Sequence, residues 1–260
     1  MTVPRPTTTQ RRTLLLDAVR SGEGSIQQLA DQFGVSSSTI RRDLSELARE
    51  GHVVRTYGGA LDSAHSVERT LREKDASHAE EKDAVARAAA EQVQDGEVVL
   101  LDAGTTTSRV ARHLADRSRL TVVTNGLSVV LALAEIPEID LVVLGGRLRH
   151  PNEAILGRSA EQQLRYITPD HVFLGADGFS AQRGISSPTL EQAQLKHLML
   201  HAGRRSYVLM DHSKLGTEPF PFWTPLDRPH TLVVDDAAPE ALHFLEADPL
   251  RSLLTVQASG

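Results

Sequence analysis

Hydrophobic positions near the N-terminus recur at helical spacing in three short segments, separated by small or polar residues. The spacing predicts helices over residues 10–20, 26–33 and 37–50, and Gly34-Val35 forms a short turn between the last two. Ser36 is the predicted N-cap of the third helix. Two short helices joined by a glycine-containing turn indicate a helix-turn-helix unit.

The third predicted helix has two chemically different faces. Ile40, Leu44 and Leu47 recur at helical spacing and predict a buried face. Hydroxyl and guanidinium groups, which bond phosphates and base edges in DNA, gather near its start on the other side. The residues expected to contact DNA from this helix are Ser36, Ser37, Ser38, Thr39, Arg41 and Arg42.

A β-ribbon wing is predicted after the third helix, over residues 52–57 and ending at Gly58-Gly59. Arg55 in this wing is expected to contact a DNA phosphate, with simple solvation as the alternative. Asp43 is expected to act as a cap or as a salt-bridge partner that orients Arg41 and Arg42, and not to contact bases.

From residue 81 onwards, short apolar runs alternate with helical patterns. Continuous apolar strands are expected where both faces of a parallel sheet are covered by helices. The fold class predicted is therefore α/β, with an N-terminal winged helix-turn-helix followed by an α/β domain whose sheet is mostly parallel and helix-covered. The predicted strands are 97–101, 120–124, 140–144, 171–174, 206–210, 231–234 and 253–256, and the helices are 81–94, one ending at 115, 127–134, 189–201 and one near 240–247.

Small or polar residues follow five of these strands. Ligands of open α/β sheets bind beyond the carboxyl ends of the strands, and a helix start after a glycine binds anions through free N–H groups. These strand ends predict a site for a polar, anionic small molecule. Glu191 and Lys196, at the start of the next helix, are secondary candidates, because charges there are more often on the surface. The expected ligand contacts are Asp102, Gly104, Thr105, Thr106, Thr107, Thr124, Asn125, Gly145, Gly146, Asp177 and Lys214.

Charge is distributed unevenly along the 260 residues. Residues 1–60 hold 8 arginines and 6 acidic residues, a net charge of +2. Because the whole chain carries a net charge of −6, the remaining residues carry −8. A slightly basic N-terminal unit on an acidic body is typical of a small DNA-contacting module carried by a larger domain. We expect domains at 8–62 and 81–260, joined over 63–80 by a linker or a connecting helix.

The amino-acid composition excludes several kinds of functional site. The chain has no cysteine, which excludes disulfides, thiol nucleophiles and cysteine-built zinc sites. The sequence shows no signal-peptide pattern and no apolar run of membrane-spanning length, so we expect a cytoplasmic protein. His197 and His201 stand four residues apart on one helix, but no general-base glutamate or evident third ligand accompanies them. We therefore expect no metal site, no cofactor and no catalytic residue.

Several motifs taken together resemble the DeoR family of bacterial transcriptional regulators over nearly the whole chain. In the N-terminal part these are Val35-Ser36, Thr39–Leu44, Leu47, Arg55 and Gly58–Ala60; in the remainder they are Glu81-Lys82, Asp102–Thr106, Val123–Asn125, Gly145-Gly146 and Ser213-Lys214. Tyr57 departs from the histidine that this family commonly has before the two glycines. The resemblance implies a winged helix-turn-helix joined to a sensor domain similar to sugar-phosphate isomerases.

The resemblance and the residues lead to one functional hypothesis. We expect a sequence-specific DNA-binding regulator, a repressor of a carbohydrate-metabolism operon, that responds to a phosphorylated sugar or a related metabolite. Its partners would be double-stranded operator DNA and further copies of this chain, as a dimer or a higher oligomer, because one recognition helix contacts few bases. No membrane partner is expected. Activation in place of repression stays open.

The rival hypothesis is an enzyme similar to sugar-phosphate isomerases, with the N-terminal unit as an interaction module. Acid–base chemistry of that kind needs a carboxylate with a tuned pKa beside the substrate carbon. Asp102 and Asp177 are the candidates for that carboxylate, and Lys214 is the candidate charge stabiliser.

Overall fold

The computed structural model describes residues 8–20, 26–49, 53–56, 59–62, 68–237, 245 and 248–258. The chain divides into two compact units, residues 1–68 and residues 69–260, and each is described by itself. Among the described residues, no helix combines the length and the apolar character that crossing a membrane would require.

The N-terminal unit contains three helices and a two-stranded ribbon. The helices are α1 (Thr8–Arg20), α2 (Ile26–Phe33) and α3 (Ser37–Arg49), and the antiparallel strands are β1 (Val53–Thr56) and β2 (Gly59–Asp62). Helix α1 begins at Thr8, two residues before the predicted start. The core between the helices is formed by Leu15, Ala18, Leu29, Ala30, Ile40, Leu44 and Leu47, so the predicted apolar face of α3 is buried.

A buried ion pair joins α1 to α3. The Asp43 carboxylate accepts hydrogen bonds from Nε of Arg11 at 2.7 Å and from Nε of Arg12 at 3.3 Å, and Asp43 is only 3% exposed. Asp43 is thus a salt-bridge partner, as expected, but its partners belong to α1. The expectation that it orients Arg41 and Arg42 was wrong, because the carboxylate lies on the inner side of α3.

The C-terminal unit is built on a seven-stranded sheet, and every neighbouring pair of its described strands is parallel. The strands are β3 (Val98–Leu101), β4 (Thr121–Thr124), β5 (Asp140–Val143), β8 (His171–Gly175), β11 (Arg205–Met210), β13 (His230–Asp235) and β14 (Arg251–Val256). Their order across the sheet is β14-β13-β11-β8-β3-β4-β5. This parallel sheet confirms the predicted fold class.

Helices cover both faces of this sheet. They are α4 (Leu71–Ala76), α5 (Ala79–Ala90), α6 (Thr105–His113), α7 (Leu127–Leu133), α8 (Arg158–Leu164) and α9 (Leu190–Ala202). Alternate residues of one strand enter different cores: Val99 and Leu101 pack with α5, α6 and α7, whereas Leu100 packs with α8 and α9. The two-sided burial explains why the strands read as continuous apolar runs.

Several short elements were not predicted. Strands β6 (Arg147–Arg149) and β7 (Ala154–Leu156) form a hairpin, and β9 (Phe179–Ser180), β10 (Gly184–Ser187) and β12 (Phe222–Thr224) form a small antiparallel sheet. Helix α4, inside the segment predicted as a linker or a connecting helix, groups with the C-terminal unit. The helix predicted near 240–247 lies outside the described residues, apart from Leu245.

Candidate effector pocket and nucleic-acid interface

The loop between β3 and α6 forms one wall of a pocket at the carboxyl ends of the sheet strands. Gly104 is the N-cap of α6, and Thr105 and Thr106 form its first turn. The N–H groups of a first helical turn have no partner within the helix, and they carry the positive end of the helix dipole. Gly104, Thr105 and Thr106 all line the pocket, which makes this wall suited to an anion.

Residues from four further segments complete the pocket. Their side chains are polar or small. They come from α4, from the β6–β7 hairpin, from the end of β8 and from α9, and Ala103 of the β3–α6 loop joins them. The space between them measures about 440 Å³, a figure that includes its open mouth. These lining residues are Lys74, Ala103, Asn152, Gly175, Ala176, Asp177, Gln192 and Lys196.

Asp102 and Lys196 form a buried ion pair beside this pocket, and of the two only Lys196 is a lining residue, although Asp102 was the predicted ligand contact. Lys196 Nζ donates to Asp102 Oδ2, and it also donates to the carbonyl oxygen of Gly175 at 2.7 Å. The same carboxylate oxygen accepts from the backbone N–H of Gly175 at 3.3 Å. Asp102 is 3% exposed and Lys196 is 8% exposed. The surface alternative for Lys196, a secondary candidate from the sequence, is wrong, because α9 turns this residue towards the carboxylate after β3 and into the pocket lining.

A second ion pair lies at the edge of the pocket. Lys74 Nζ of α4 donates to Asp177 Oδ1 at 2.6 Å, and both side chains are partly buried. Burial alone would raise the pKa of Asp177, but the positive charges of Lys74, Lys196 and Lys214 outweigh it and hold the pKa below its ordinary value. Asp177 is therefore an ionised carboxylate that pairs with Lys74 at the edge of the pocket.

Three of the predicted contacts hold the loop and do not face the pocket. Thr124 Oγ1 donates to the carbonyl of Leu101 at 2.7 Å, and Asn125 Oδ1 accepts from the N–H of Ala103 at 3.0 Å. Thr107 Oγ1 donates to the carbonyl of Gly104 at 3.0 Å. Each of these side chains fixes the backbone that carries Gly104–Thr106.

Gly145, Gly146 and Lys214 are not among the lining residues. Gly146 has φ 157°, and a Cβ there would come within 2.3 Å of the carbonyl oxygen of Leu156, so glycine is needed for the β6–β7 hairpin to close. Gly145 donates its N–H to Gln163 Oε1 at 2.8 Å. Lys214 lies in a 3₁₀ turn after β11, close enough to help lower the pKa of Asp177.

Sequence reasoning missed Lys74, Asn152 and Gln192. A signal for α9 was present, because Gln192 and Lys196 are four residues apart on one helix face. Lys74 carried no such signal, since it stood in a polar segment interpreted as a linker or a connecting helix. Asn152 accepts from Arg149 Nη1 at 2.9 Å in a turn that the strand pattern did not reveal.

In the N-terminal unit, the predicted DNA contacts lie at the start of α3. Ser36 Oγ accepts from the N–H of Thr39 at 3.2 Å and lies 2.9 Å from Thr39 Oγ1, which is the expected N-cap. Ser38 and Arg42 are exposed, and Ser37 and Thr39 are partly buried. Arg41 belongs to α3 and Arg55 to β1, opposite Ala60, but the side chains of both lie outside the described part of the structure.

The N-terminal unit is a helix-turn-helix whose third helix presents hydroxyl and arginine side chains. The C-terminal unit of the same chain holds a pocket suited to an anion. These two features together define a class of ligand-responsive DNA-binding regulators. The family comparisons agree with this class. Residues 11–66 match the DeoR-like helix-turn-helix domain, and residues 77–236 match the DeoR C-terminal sensor domain. The chain belongs to the DeoR family of transcriptional regulators.

Individual relatives are similar over most of their length. The chain is 35% identical to the putative aga operon transcriptional repressor of Escherichia coli O157:H7, covering 89% of this chain and 88% of that one. It is 32% identical to the regulator GlpR of Haloferax volcanii, covering 87% and 89%. It is also 32% identical to the glycerol-3-phosphate regulon repressor of Escherichia coli K12, covering 80% and 83%.

Proposed function

We propose that this protein is a transcriptional repressor of a carbohydrate-metabolism operon, released from its operator when a phosphorylated sugar or a related phosphorylated metabolite binds the pocket of the C-terminal unit. The supporting observation is the pocket itself, where the first turn of α6 lies with Lys74 and Lys196. Two of the similar proteins are named as repressors of the aga operon and of the glycerol-3-phosphate regulon, which favours this class of effector.

The phosphate group would bind the first turn of α6, through the N–H groups and hydroxyls of Thr105 and Thr106. Gly104 allows close approach because it has no side chain. Asn152 and Gln192 offer amide groups for sugar hydroxyls on the opposite wall. Asp102 would act by holding Lys196 in place, and Asp177 by holding Lys74.

On the DNA side, we propose that α3 enters the major groove. Ser38 and Arg42 would contact bases or phosphates there, together with Ser36, Ser37, Thr39 and Arg41, and Arg55 would contact a phosphate from the wing. Because a helix N-terminus and hydroxyls bind phosphate while arginine can bond guanine, this one segment can supply both affinity and specificity. Effector binding would shift the population of molecules away from the DNA-binding arrangement.

The isomerase alternative is less well supported. A general base for proton abstraction works best with its pKa near the working pH, and for a carboxylate this requires a raised value. The lysines around Asp177 lower its pKa, and Asp102 is bonded to Lys196 and to the backbone of Gly175. We therefore propose that the pocket binds a ligand without converting it.

A second copy of this chain is the proposed protein partner. Strand β5 is at one edge of the sheet, and Val142 and Val143 are 37% and 39% exposed although they point to opposite faces. Exposed apolar residues on an unpaired edge favour association, and one recognition helix alone reads few bases. We propose a homo-oligomer that uses the β5 edge.

Thermal unfolding with a panel of phosphorylated sugars tests the pocket. At least one compound should raise the Tm of the C-terminal unit, and Thr105→Val with Thr106→Val should remove that shift, because valine keeps the side-chain shape without the hydroxyl. Thr121→Val is the matched control, since Thr121 starts β4 at the other end of the sheet. An unchanged shift in the double variant would place the ligand elsewhere.

A further inference from the structure

Three potential metal ligands meet beside the carboxyl end of β11, outside the lining of the effector pocket. His78 is the N-cap of α5, Glu81 lies in the first turn of that helix, and His212 follows β11. Each offers one ligand atom such that the three atoms lie within 4.8 Å of one another. We call His78, Glu81 and His212 the His78–His212 cluster.

His212 is held by a buried carboxylate. Its Nδ1 lies 2.7 Å from Asp235 Oδ2, and its backbone N–H donates to Asp235 Oδ1 at 2.7 Å. Asp235, at the end of β13, is fully buried. A carboxylate that accepts from Nδ1–H fixes the tautomer and leaves the lone pair on Nε2, which is the usual arrangement behind a metal-binding histidine.

His78 has an unusual backbone conformation that positions its ring. Its φ of 49° and ψ of 46° are in the left-handed region, which costs free energy for a residue other than glycine, and its side chain does not cap α5. The ring meets the His212 ring edge-on, with centroids 5.2 Å apart. The local structure thus holds this histidine against His212 at a conformational cost.

One pair of atoms in the cluster has the spacing of two ligands on a small cation, and the third ligand atom lies within 4.8 Å of both. His78 Nδ1 and Glu81 Oε1 are 3.6 Å apart, longer than a hydrogen bond. Two ligand atoms bound to tetrahedral zinc at about 2.1 Å lie about 3.4 Å from each other. A zinc ion therefore fits between these two atoms with little movement, whereas a direct hydrogen bond needs them closer.

The charges around the cluster are mixed. Lys82 and Lys214 are near, but Lys82 Nζ is directed to the carbonyl oxygens of Lys74 and Ser77. Asp211, buried at the end of β11, and Asp235 add negative charge on the side of the sheet. Two imidazoles and a carboxylate, with a buried carboxylate behind one imidazole, select a borderline divalent cation over Mg²⁺ or Ca²⁺.

We propose that the His78–His212 cluster binds one Zn²⁺ ion through His78, Glu81 and the Nε2 of His212, with water as the fourth ligand. The ion would join the start of α5 to the loop after β11. The site does not depend on the proposed effector or on DNA.

A second cluster of possible ligands serves as the comparison. His197 and His201 of α9 approach Asp227, so a third ligand does lie near this histidine pair, contrary to the sequence-based expectation. His201 Nε2 is 2.9 Å from Asp227 Oδ1, and both side chains are exposed. Among the described residues, no buried carboxylate orients either ring, so this cluster is the weaker candidate.

Zinc titration of the tag-free, full-length chain, stripped of metal with a chelator, tests the proposal. Calorimetry should show one tight Zn²⁺ per chain. His78→Asn and His212→Asn should each weaken it at least tenfold, and asparagine at position 78 tolerates the left-handed backbone. Asp235→Asn should weaken it by roughly 10–100-fold without removing it, as expected of a residue behind the ligand.

His201→Asn, from the second cluster, is the matched control and should leave the tight event unchanged. Far-ultraviolet circular dichroism of each variant separates a lost site from a lost fold, and His78→Asn alone decides the matter if His212→Asn does not fold. Absence of a saturable Zn²⁺ event in the natural chain would overturn the proposal. So would a tight event that survives His78→Asn or disappears in His201→Asn.

Discussion

Asp102 and Lys196 show how single residues acquire a role through burial. A buried ion pair contributes little net stability, because desolvation of the two charges offsets their attraction, yet removing one partner leaves an unpaired buried charge. Such a pair is better explained by positioning than by stability. Here it fixes the backbone of Gly175 and the base of the pocket, since both side chains also bond to that residue.

His171 gives a residue-scale prediction on pH. Its side chain is fully buried beside Phe173 and Tyr207, and burial, aided by the charge of Arg205, lowers its pKa below the ordinary 6.5. Below pH 6.5 the unfolded chain therefore binds a proton that the folded chain does not, so the free energy of unfolding should fall as the pH drops.

Urea unfolding between pH 5 and pH 8 measures this loss through the fluorescence of Trp223, the single tryptophan. His171→Phe keeps the aromatic stack and removes the titration, so its unfolding free energy should depend less on pH in this range. A smaller dependence should remain from His230, whose pKa is also lowered by burial. An equally steep pH dependence in His171→Phe would show that another group dominates.

Helix α3 carries the element-scale prediction. Its inner side is fixed by Ile40, Leu44 and the Asp43 pairs with α1, while Arg42 stays exposed. Replacing Arg41 and Arg42 with alanine should abolish operator binding, because each arginine supplies charge for phosphate or a bidentate contact to a base. Fluorescence anisotropy with a DNA fragment flanking the protein's own gene measures the loss.

Arg183→Ala removes one arginine charge from an exposed position of the C-terminal unit and should leave DNA affinity nearly unchanged. The effector-induced Tm shift should persist in the α3 double variant. Retained DNA affinity in that variant would refute the assignment of α3 as the recognition helix.

The strands and helices differ in how well the sequence predicted them. Strands β3, β4, β8, β11 and β13 were predicted to within one residue at each end, because burial on both faces leaves a continuous apolar run. The β6–β7 hairpin escaped prediction, and for α4 only the alternative of a connecting helix was given, without bounds. Both elements are short, and their positions depend on tertiary contacts such as Gly146 against Leu156 and the bond from Arg109 to Asp75. The loop at Gly104–Thr106 was predicted from the local sequence pattern. The positions of Lys74 and Lys196 in the pocket became visible only in the folded structure, because they depend on how α4 and α9 pack.

At the scale of the whole molecule, the β5 edge predicts association. Val143→Lys should shift the natural oligomer towards monomer, because a charge on the edge strand resists pairing with a second copy. Light scattering after size-exclusion chromatography gives the mass. Thr255→Lys, exposed on the opposite edge strand β14, is the control and should not change it. A monomeric natural chain, or an unchanged mass in Val143→Lys, would contradict the proposed interface.

We propose that anion binding in the C-terminal pocket controls DNA binding by α3. Operator affinity tests this control, measured by fluorescence anisotropy at fixed salt, with and without the phosphorylated sugar that gives the largest Tm shift. This compound should weaken DNA binding by the natural chain but not by the Thr105→Val, Thr106→Val variant, which should bind the same DNA equally well in its absence. Equal weakening in both proteins, or none in the natural chain, would contradict it.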